Sequence, residues 1–469
     1  MKKKFLFLIK CALVLLPFIA CILYTKENLL KFSDEEIPFY IWNREFANTE
    51  HDKYYDVLFM GDSTANASFV PNILSDTSIN LALGGTTIVE NYYVLQDWLQ
   101  NNKPPKDIFL IITDRHMNRF DTFWSRAIHS HRFSFKQNLQ MVLDIKKYQE
   151  QSALVDNYIS DFISYQLYLP NKYITSLMNG SINQREETNL AQMRRIEFQK
   201  GRYICPDAET FPLKDPVIHD TFTVGNIFDN YYRKFLNLCQ EHGIKVHAFK
   251  MPRIEGWTYT EQYTNQVFKY YHELEEEYRN YEFNFCNEIY PAEYFGGDEI
   301  HVNTRGALQF SHFIKEQYPD QFDKEIMPEQ VDNINTHLNE ETHLDNIFKW
   351  VYGQDYTVIL YDGTDRIETL YNEKLKYKNM ELLKMLDTKG VDNENLYIIS
   401  SNHTFKNEVQ LLTQKEEILV HTENAADDLI WKPYNYNGIS IVIIDNLHKV
   451  PICIKNAPYL EKIEIGKCE

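Results

Sequence analysis

Short apolar runs alternate with segments of helical periodicity over most of the first 320 residues. Each run is four to seven residues long and is closed by glycine, proline or polar turn residues, which is typical of a buried strand. The runs cover residues 56–60, 78–83, 107–113, 244–249 and 283–286. Apolar residues recur at helical spacing over residues 87–101, 228–241 and 304–317. This alternation predicts an α/β fold, with a parallel sheet between two layers of helices.

Two stretches depart from the alternation. Residues 120–220 are rich in Tyr, Gln, Asn and Lys and mostly helical in period, which predicts a helical insertion that covers or shapes a site. A polar stretch at 326–345 predicts a linker. Beyond it, strand-like runs at 356–361, 396–400, 417–420 and 439–444, with a helical pattern around 382–386, predict a smaller C-terminal α/β domain over 346–469.

The N-terminus predicts a membrane anchor. Three lysines follow Met1, and residues 5–24 are apolar except for Lys10, about one bilayer thickness as a helix. We predict a signal anchor over residues 1–26, a connector over 27–53, and a single-pass protein whose bulk lies outside the cytoplasm, in the periplasm or on the cell surface. A cleaved signal peptide, a lipid-modified Cys21 and a buried helix of a cytosolic protein stay open as alternatives.

Composition narrows the function classes. The chain has 469 residues, too many for one ordinary domain, and a formal net charge of −19. Nucleic-acid binding needs a basic surface, so nucleic acid is excluded as a partner. The seven cysteines are widely spaced, and their pattern indicates neither a dense disulfide framework nor a zinc module. A Cys453–Cys468 disulfide in an oxidising compartment stays open.

The first candidate for chemistry directly follows the first predicted strand. The tetrapeptide Gly61-Asp62-Ser63-Thr64 places a serine at a strand-to-helix turn, at the carboxyl end of the sheet, where open α/β folds bind ligands. Backbone N–H groups of the following helix are able to stabilise an oxyanion there. The alternative is a helix cap, since Ser and Thr are common at that position.

The second candidate is a histidine with an acidic residue three positions earlier. Asp298 and His301 precede the predicted helix at 304–317. An aspartate at this spacing is able to orient an imidazole that faces a nucleophile. A surface loop with two polar side chains is the alternative.

Together these two blocks resemble the SGNH/GDSL hydrolase family, over roughly residues 54–318. The resemblance implies a flavodoxin-like three-layer α/β/α fold over 54–325, with Ser63 as nucleophile, His301 as base and Asp298 as its partner. It also implies that the backbone N–H groups of Ser63 and of Gly84 or Gly85 form an oxyanion hole.

One block departs from the family pattern. Asp114 stands about where the family has an asparagine that donates to the oxyanion, and an ionised carboxylate is unable to donate. Arg115 or Asn118 is a candidate replacement donor. A structural ion pair of Asp114 with Arg115 or a neighbouring helix end is the alternative.

The departure and the anchor resemble the membrane-anchored branch that modifies cell envelopes by O-acetylation or D-alanyl transfer. This implies a serine esterase or O-acyltransferase that acts on acyl esters of a surface glycan, beside a membrane-bound O-acyltransferase. A non-catalytic envelope scaffold and a lipid-ester hydrolase are the alternatives. No cofactor or metal is predicted, and the His129-x-His131 pair is interpreted as two polar side chains on the surface rather than a metal site.

Overall fold

The structure is a computed structural model that describes residues 2–183, 185–205, 217–296 and 298–322, and seven strands between 356 and 457. The strands before residue 323 are β1 Val57–Gly61, β2 Ser78–Asn80, β3 Asp107–Ile111, β4 Val217–His219, β5 Lys245–Lys250, β6 Arg253–Ile254, β7 Trp257–Tyr259, β8 Tyr281–Phe285 and β9 Ile289–Tyr290. The later strands are β10 Tyr356–Asp362, β11 Leu396–Ser400, β12 Glu408–Leu412, β13 Glu417–His421, β14 Leu429–Trp431, β15 Ile439–Asp445 and β16 Val450–Ala457.

Helices make up most of the rest of the described chain. They are α1 Lys2–Glu27, α2 Leu29–Phe32, α3 Ile37–Asn48, α4 Ser63–Ser68, α5 Pro71–Leu74, α6 Ile88–Asn101, α7 Phe135–Tyr148, α8 Tyr158–Gln166, α9 Pro170–Ile182, α10 Arg185–Phe198, α11 Asn226–Glu241, α12 Glu261–Glu277, α13 Thr304–Gln317 and α14 Pro319–Phe322. Two short 3₁₀ turns, Asp114–Met117 and Ala292–Tyr294, and a π-helical turn, Phe123–Ile128, complete the set.

The centre of the fold is a parallel five-stranded sheet in the order β2-β1-β3-β5-β8. All four pairings are parallel, with Val57 opposite Ser78 on one side and Asp107 on the other. The chain leaves β1 toward one edge and returns to β3 on the other side. The order therefore reverses beside β1, and open sheets bind ligands at the carboxyl ends of strands at such a point.

Helices cover both faces of this sheet. Successive side chains of β1 point to opposite faces, so they join two different buried clusters. Leu58 and Met60 join one buried cluster with residues of α3, α6, α11 and α12. Val57 and Phe59 join a second cluster with α4, α5 and α13. The α/β fold with a parallel sheet is as predicted, and the bounds of α13 match the predicted 304–317.

The N-terminal segment before β1 is part of the core and not the connector predicted for 27–53. Helix α3 is buried along most of its length, and its Tyr40 and Trp42 belong to the cluster under α6. The Asn43 amide donates to the carbonyl of Leu81 over 2.8 Å, which fixes the chain between β2 and α6. The segment contains charged residues, among them Asp34, Glu35 and Glu36, but the helix that follows them is largely buried.

The helical insertion predicted over 120–220 is present in its described part as α7, α8, α9 and α10. His129 and His131 are not surface residues: His129 is buried, and His131 packs flat on Tyr168 with ring centroids 3.8 Å apart. Burial lowers the pKa of His129 to about 4, so its imidazole is neutral. Among the described residues no group of three or more His, Cys, Asp or Glu side chains is arranged to hold a metal ion.

The described strands beyond residue 355 form two antiparallel sheets, β11-β10-β15-β16 and β12-β13-β14. Four of them lie where strands were predicted. The predicted helix at 382–386, the linker at 326–345 and Cys468 lie outside the described residues.

Among the residues with described side chains, no helix is long and apolar enough to cross a membrane. Residues 1–9, 11 and 12 of the predicted anchor are not among the residues whose side chains are described. The anchor therefore stays a prediction.

Candidate active site

The end of β1 places Ser63 at the carboxyl edge of the sheet. Gly61 has φ +136°, and a Cβ there would lie 1.9 Å from the carbonyl oxygen of Ile111 on β3. Only glycine allows the chain to turn this close to the neighbouring strand. The turn leads into α4, where Ser63 is the first residue.

Asp62 is fully buried and secures the turn. One carboxylate oxygen accepts from the N–H and hydroxyl of Thr64, which caps α4. The other accepts from the N–H and hydroxyl of Thr113 and from His116 Nδ1, at 2.7–2.8 Å. Burial opposes ionisation, but His116 and the other donors hold the pKa of the Asp62 carboxyl well below its usual range.

His116 is in turn held by a second carboxylate. Its Nε2 lies 3.1 Å from Asp121, so both ring nitrogens face acidic groups. Burial acts against the charge, but these hydrogen bonds raise the pKa of His116 to about 9. A charged imidazolium therefore links β1, the turn after β3 and the segment that leads to the π-helical turn.

The loop before α13 holds the second half of the site. Oδ1 of Asp298 accepts from the backbone N–H groups of Ile300 and His301, at 2.9 and 2.7 Å. Gly296 and His301 are joined by a backbone hydrogen bond of 2.9 Å, and Asn303 caps α13 by accepting from Gly306. These bonds fix the loop on the end of a core helix.

The two halves meet in one chain of hydrogen bonds. His301 Nδ1 lies 2.5 Å from Oδ2 of Asp298, and His301 Nε2 lies 2.7 Å from Ser63 Oγ. Burial raises the pKa of Asp298, but its hydrogen bonds with His301 and with the N–H of Ile300 lower it overall, so its carboxylate is ionised and only accepts. The proton of the neutral imidazole therefore sits on Nδ1, which leaves Nε2 to accept from the serine.

A cavity of about 520 Å³ opens beside this chain. Its walls come from α3, the π-helical turn, α10, the segment after α10 and the loop before α13. The lining is Glu35, Glu36, Phe39, Tyr40, Ser63, Asn66, Gly84, Arg126, Gln192, Ile196, Gln199, Arg202, Tyr203, Ile204, Cys205, Gly296, Asp298 and His301. The predicted insertion thus forms one wall through α10.

Gly84 faces Ser63, and Gly85 does not. A Cβ on Gly84 would lie 3.8 Å from the Ser63 Cβ and 3.5 Å from Nη1 of Arg126. Gly85 has φ +75° and turns toward Thr122, whose hydroxyl donates to its carbonyl. Among the described residues nothing accepts from the backbone N–H groups of Ser63 and Gly84, so both are available to an oxyanion.

Neither replacement donor suggested for the third block lies at this site. Asn118 donates to Thr223 and does not line the cavity, so the structure does not bring it to the site where its oxyanion role was predicted. Arg115 pairs with Asp121 over 2.5 Å. Neither residue is among those that line the cavity beside Ser63.

Asp114 is also outside the cavity lining. Its carboxylate pairs with Lys250 at the end of β5 and accepts from the hydroxyl of Tyr263. The expected ion pair exists, with Lys250 and not with Arg115. Lys250 therefore balances the negative charge of Asp114.

No local sequence pattern predicted that two arginines, Arg126 and Arg202, would line the cavity. Arg126 pairs with Glu36 over 2.5 Å, and both lie against Gly84. Tyr40 donates to the carbonyl of Gly84 over 2.6 Å, which holds the peptide that follows the Gly84 N–H. Buried Arg202 is a second cation in the lining. These residues come from segments that lack a local motif and meet only in three dimensions.

Comparison of the chain with protein-family models and with curated proteins finds no match.

Proposed function

We propose that the chain is a serine esterase or O-acyltransferase that acts on acyl esters of a cell-surface glycan through an acyl-serine intermediate. One observation carries the proposal: the hydrogen-bonded series Ser63–His301–Asp298 at the mouth of a cavity. Such a series is the arrangement that activates a serine hydroxyl at neutral pH.

The first step forms the acyl-enzyme. His301 Nε2 removes the hydroxyl proton while Ser63 Oγ forms a bond to the ester carbonyl carbon. The carbonyl oxygen becomes an oxyanion, and the N–H groups of Ser63 and Gly84 donate to it. The imidazolium then gives its proton to the departing alcohol oxygen as the ester bond breaks.

The second step reverses these transfers with a new nucleophile. Water or a sugar hydroxyl gives its proton to His301 Nε2 and attacks the acyl carbon. The bond between that carbon and Ser63 Oγ then breaks, and the imidazolium returns its proton to Oγ. Asp298 stabilises the imidazolium in both steps through its 2.5 Å contact with Nδ1. The reaction is hydrolysis or transfer according to which nucleophile occupies the cavity.

The lining of the cavity favours a polar acceptor and a small acyl group. Gln192, Gln199 and Tyr203 provide amide and phenol groups suited to sugar hydroxyls, and Arg126 and Arg202 add cations. Apolar side chains are a minority of the lining. This lining supports an acetyl-sized group on Ser63 and a glycan acceptor. The family resemblance adds a membrane-bound O-acyltransferase as the proposed partner that supplies or receives the acyl group.

The test uses the full chain in detergent with p-nitrophenyl acetate. Ser63→Ala removes the nucleophile and is expected to lower kcat/KM by about 10³-fold or more, as loss of a catalytic serine does. Ser125→Ala is the matched control, since Ser125 is exposed near the cavity but does not line it. Its activity should equal that of the unmodified chain. Equal hydrolysis by the Ser63 and Ser125 variants would remove Ser63 from the mechanism.

Transfer is separated from hydrolysis by adding acceptors. Oligosaccharides that carry free hydroxyls should speed the loss of the acyl-enzyme and appear as acetylated products in mass spectra. Release of acetate alone, at a rate that no acceptor changes, would restrict the proposal to an esterase.

Hydrolysis of lipid esters is the second candidate. It is favoured by the apolar side chains that α8 and α9 leave exposed, because they would place the cavity near lipid. Comparing acetyl with long-chain acyl esters decides between the two: the polar lining predicts higher kcat/KM for acetyl, and a preference for long chains would favour the lipid-ester hydrolase. The non-catalytic scaffold predicts that neither ester is cleaved.

A further inference from the structure

Three consecutive helices of the insertion leave apolar stripes exposed. The stripes are Phe135, Leu139 and Leu143 on α7, Ile159, Ile163 and Leu167 on and just after α8, and Ile174, Met178 and Ile182 on α9. Their exposure ranges from 36% to 75%. Residues four apart lie on one side of a helix, so each set forms a single line along its helix.

These stripes are not the inner faces of the helices. The inner side of α7 carries buried Met141, Val142 and Ile145, and that of α8 carries buried Phe162. The inner side of α9 carries Tyr173 and Gly180, where Gly180 lets the backbone of Phe32 approach. An amphipathic helix of a water-exposed protein is polar on its outer side. Here the outer side is apolar as well, which marks a surface that something else covers.

The three helices are neighbours. Phe135 of α7 packs on Phe162 of α8 with ring centroids 5.4 Å apart. Lys172 of α9 pairs with Asp161 of α8 over 2.8 Å. The stripes therefore lie on adjoining helices, and we call the nine side chains together the insertion face.

The insertion face continues into α1, which contacts α9. Leu13, Val14, Leu15 and Leu16 of α1 are all more than half exposed. Four consecutive residues point to all sides of a helix, so whatever covers them must surround it. A lipid bilayer does so, whereas a protein partner on one side does not.

The net charge of helices α7 to α9 is also compatible with a lipid bilayer. Residues 135–182 contain four lysines and four acidic residues and are neutral, whereas the whole chain carries −19. The repulsion between an acidic protein and anionic lipid is absent here. Tyr158 and Tyr165, which meet Lys146 and Lys172, supply the amphipathic rings common at membrane interfaces.

We propose that the insertion face lies in the interfacial layer of a lipid bilayer, beside α1. Helices α7, α8 and α9 lie along the membrane with their stripes in the headgroup and upper acyl region. Helix α10 contacts α9 and also lines the cavity, so the arrangement holds the cavity mouth at the membrane surface.

The test places the photo-crosslinking residue p-benzoylphenylalanine at Ile163 or at Met178 in the full chain. The matched control is the same residue at Phe268, which is 36% exposed on α12 and outside the insertion face. Each chain is reconstituted in vesicles of phosphatidylcholine and phosphatidylglycerol that contain an alkyne-tagged phosphatidylcholine, and is then irradiated. All three sites are exposed, so equal thermal unfolding midpoints check that the chains fold alike.

We expect the tagged lipid on the Ile163 and Met178 chains at least five times as often as on the Phe268 chain. Equal lipid labelling at all three sites would overturn the proposal, since α1 alone would then account for membrane contact. The same chains irradiated in the producing cell's membranes should again yield lipid adducts. Adducts to one protein in place of lipid would also overturn it, and would make the insertion face a protein interface.

Discussion

At the scale of single residues, the site depends on which groups are charged. Asp298 is ionised, and its Oδ1 is occupied by two backbone N–H groups, so only Oδ2 is left to hold His301. Asp62, one position before Ser63, is held in a similar way: Thr64 donates to its Oδ1, and the charged His116 donates to its Oδ2. The first carboxylate sets the tautomer of the base, and the second sets the position of the turn that carries Ser63.

Asp298→Asn tests the role of the first carboxylate. An amide that donates to Nδ1 stabilises the tautomer with its proton on Nε2, which is unable to accept from Ser63. We expect kcat for p-nitrophenyl acetate to fall by about 10²–10⁴-fold, in line with such a substitution in other serine hydrolases. Glu299→Gln, at the neighbouring position, should leave kcat unchanged. Full activity of the Asp298→Asn chain would mean that His301 needs no anionic partner.

Because His116 is charged when it pairs with Asp62, the stability of the folded chain should depend on pH. The pKa of His116 rises from 6.5 in the unfolded chain to about 9 in the folded one. The contribution of charged His116 to the free energy of unfolding is therefore complete below pH 6.5 and is lost as the pH rises toward 9. We expect this loss to be on the order of 1–3 kcal/mol.

The measurement is the thermal unfolding midpoint of the full chain in detergent at pH 6.5 and 9. His116→Gln keeps a donor to Asp62 but carries no charge, so its midpoint should start lower at pH 6.5 and fall less by pH 9. The control His242→Gln changes an exposed histidine and should follow the unmodified chain. A His116→Gln chain with the full pH dependence would contradict the assignment of the charge.

At the scale of elements, β1, its turn and α4 act as one unit that aims the serine. β1 is buried along its whole length, and Asn91 on α6 both donates to and accepts from the backbone of Gly61. Thr87 caps α6 in a reciprocal arrangement with Glu90, which fixes the chain after Gly84-Gly85. Ser63 therefore begins a capped helix, and Gly84 lies in a short turn that ends at the capped start of α6.

Gly61→Ala tests the closeness of that turn. A Cβ at Gly61 would lie 1.9 Å from a backbone oxygen that has no room to move. We expect a loss of about 3 kcal/mol or more in unfolding free energy, well above the ~1–2 kcal/mol cost of a left-handed alanine alone. Gly243→Ala is the control, since Gly243 also has positive φ (+68°) but nothing within 4 Å of its Cβ position. Equal losses for both would show that φ, and not the contact with β3, decides the cost.

At the scale of the whole molecule, the chain before β1 is part of the fold that carries the candidate site. Tyr40 and Asn43 donate to the carbonyls of Gly84 and Leu81, and Leu29 and Phe32 form a small core with Tyr173 of the insertion. The predicted anchor, the insertion and the cavity are therefore linked through one short stretch of chain.

Two shortened chains separate the anchor from this stretch. A chain that begins at residue 28 keeps α2 and α3 and should unfold cooperatively with a midpoint close to that of the full chain. A chain that begins at residue 54 loses the side chains that α3 contributes to the core, so we expect no cooperative unfolding. Circular dichroism on heating measures both. A chain from residue 54 that unfolds cooperatively would show that residues 27–53 are a connector, as the sequence predicted, and not part of the core.

Local signals were enough to predict the parallel sheet and the three side chains that meet at its edge. The apolar runs ending at Gly61 and Gly84, and the Asp298–His301 spacing before a capped helix, depend on a few neighbouring residues. Helix α12 shows Tyr263, Val267 and Tyr271 four residues apart after a Thr260 cap, a signal that sequence reasoning missed. Arg126, Glu36 and Tyr40 had no such signal, because their role comes from contacts between distant segments.

The central claim is that Ser63 is activated by His301, and a fluorophosphonate probe tests it most directly, because it reacts only with an activated serine. The full chain in detergent is incubated with the probe and digested, and the modified peptide is identified by mass spectrometry. We predict one adduct, on Ser63, and a loss of that adduct in His301→Gln but not in the control His242→Gln. Equal labelling of Ser63 in both variants, or no labelling of the unmodified chain, would contradict the account.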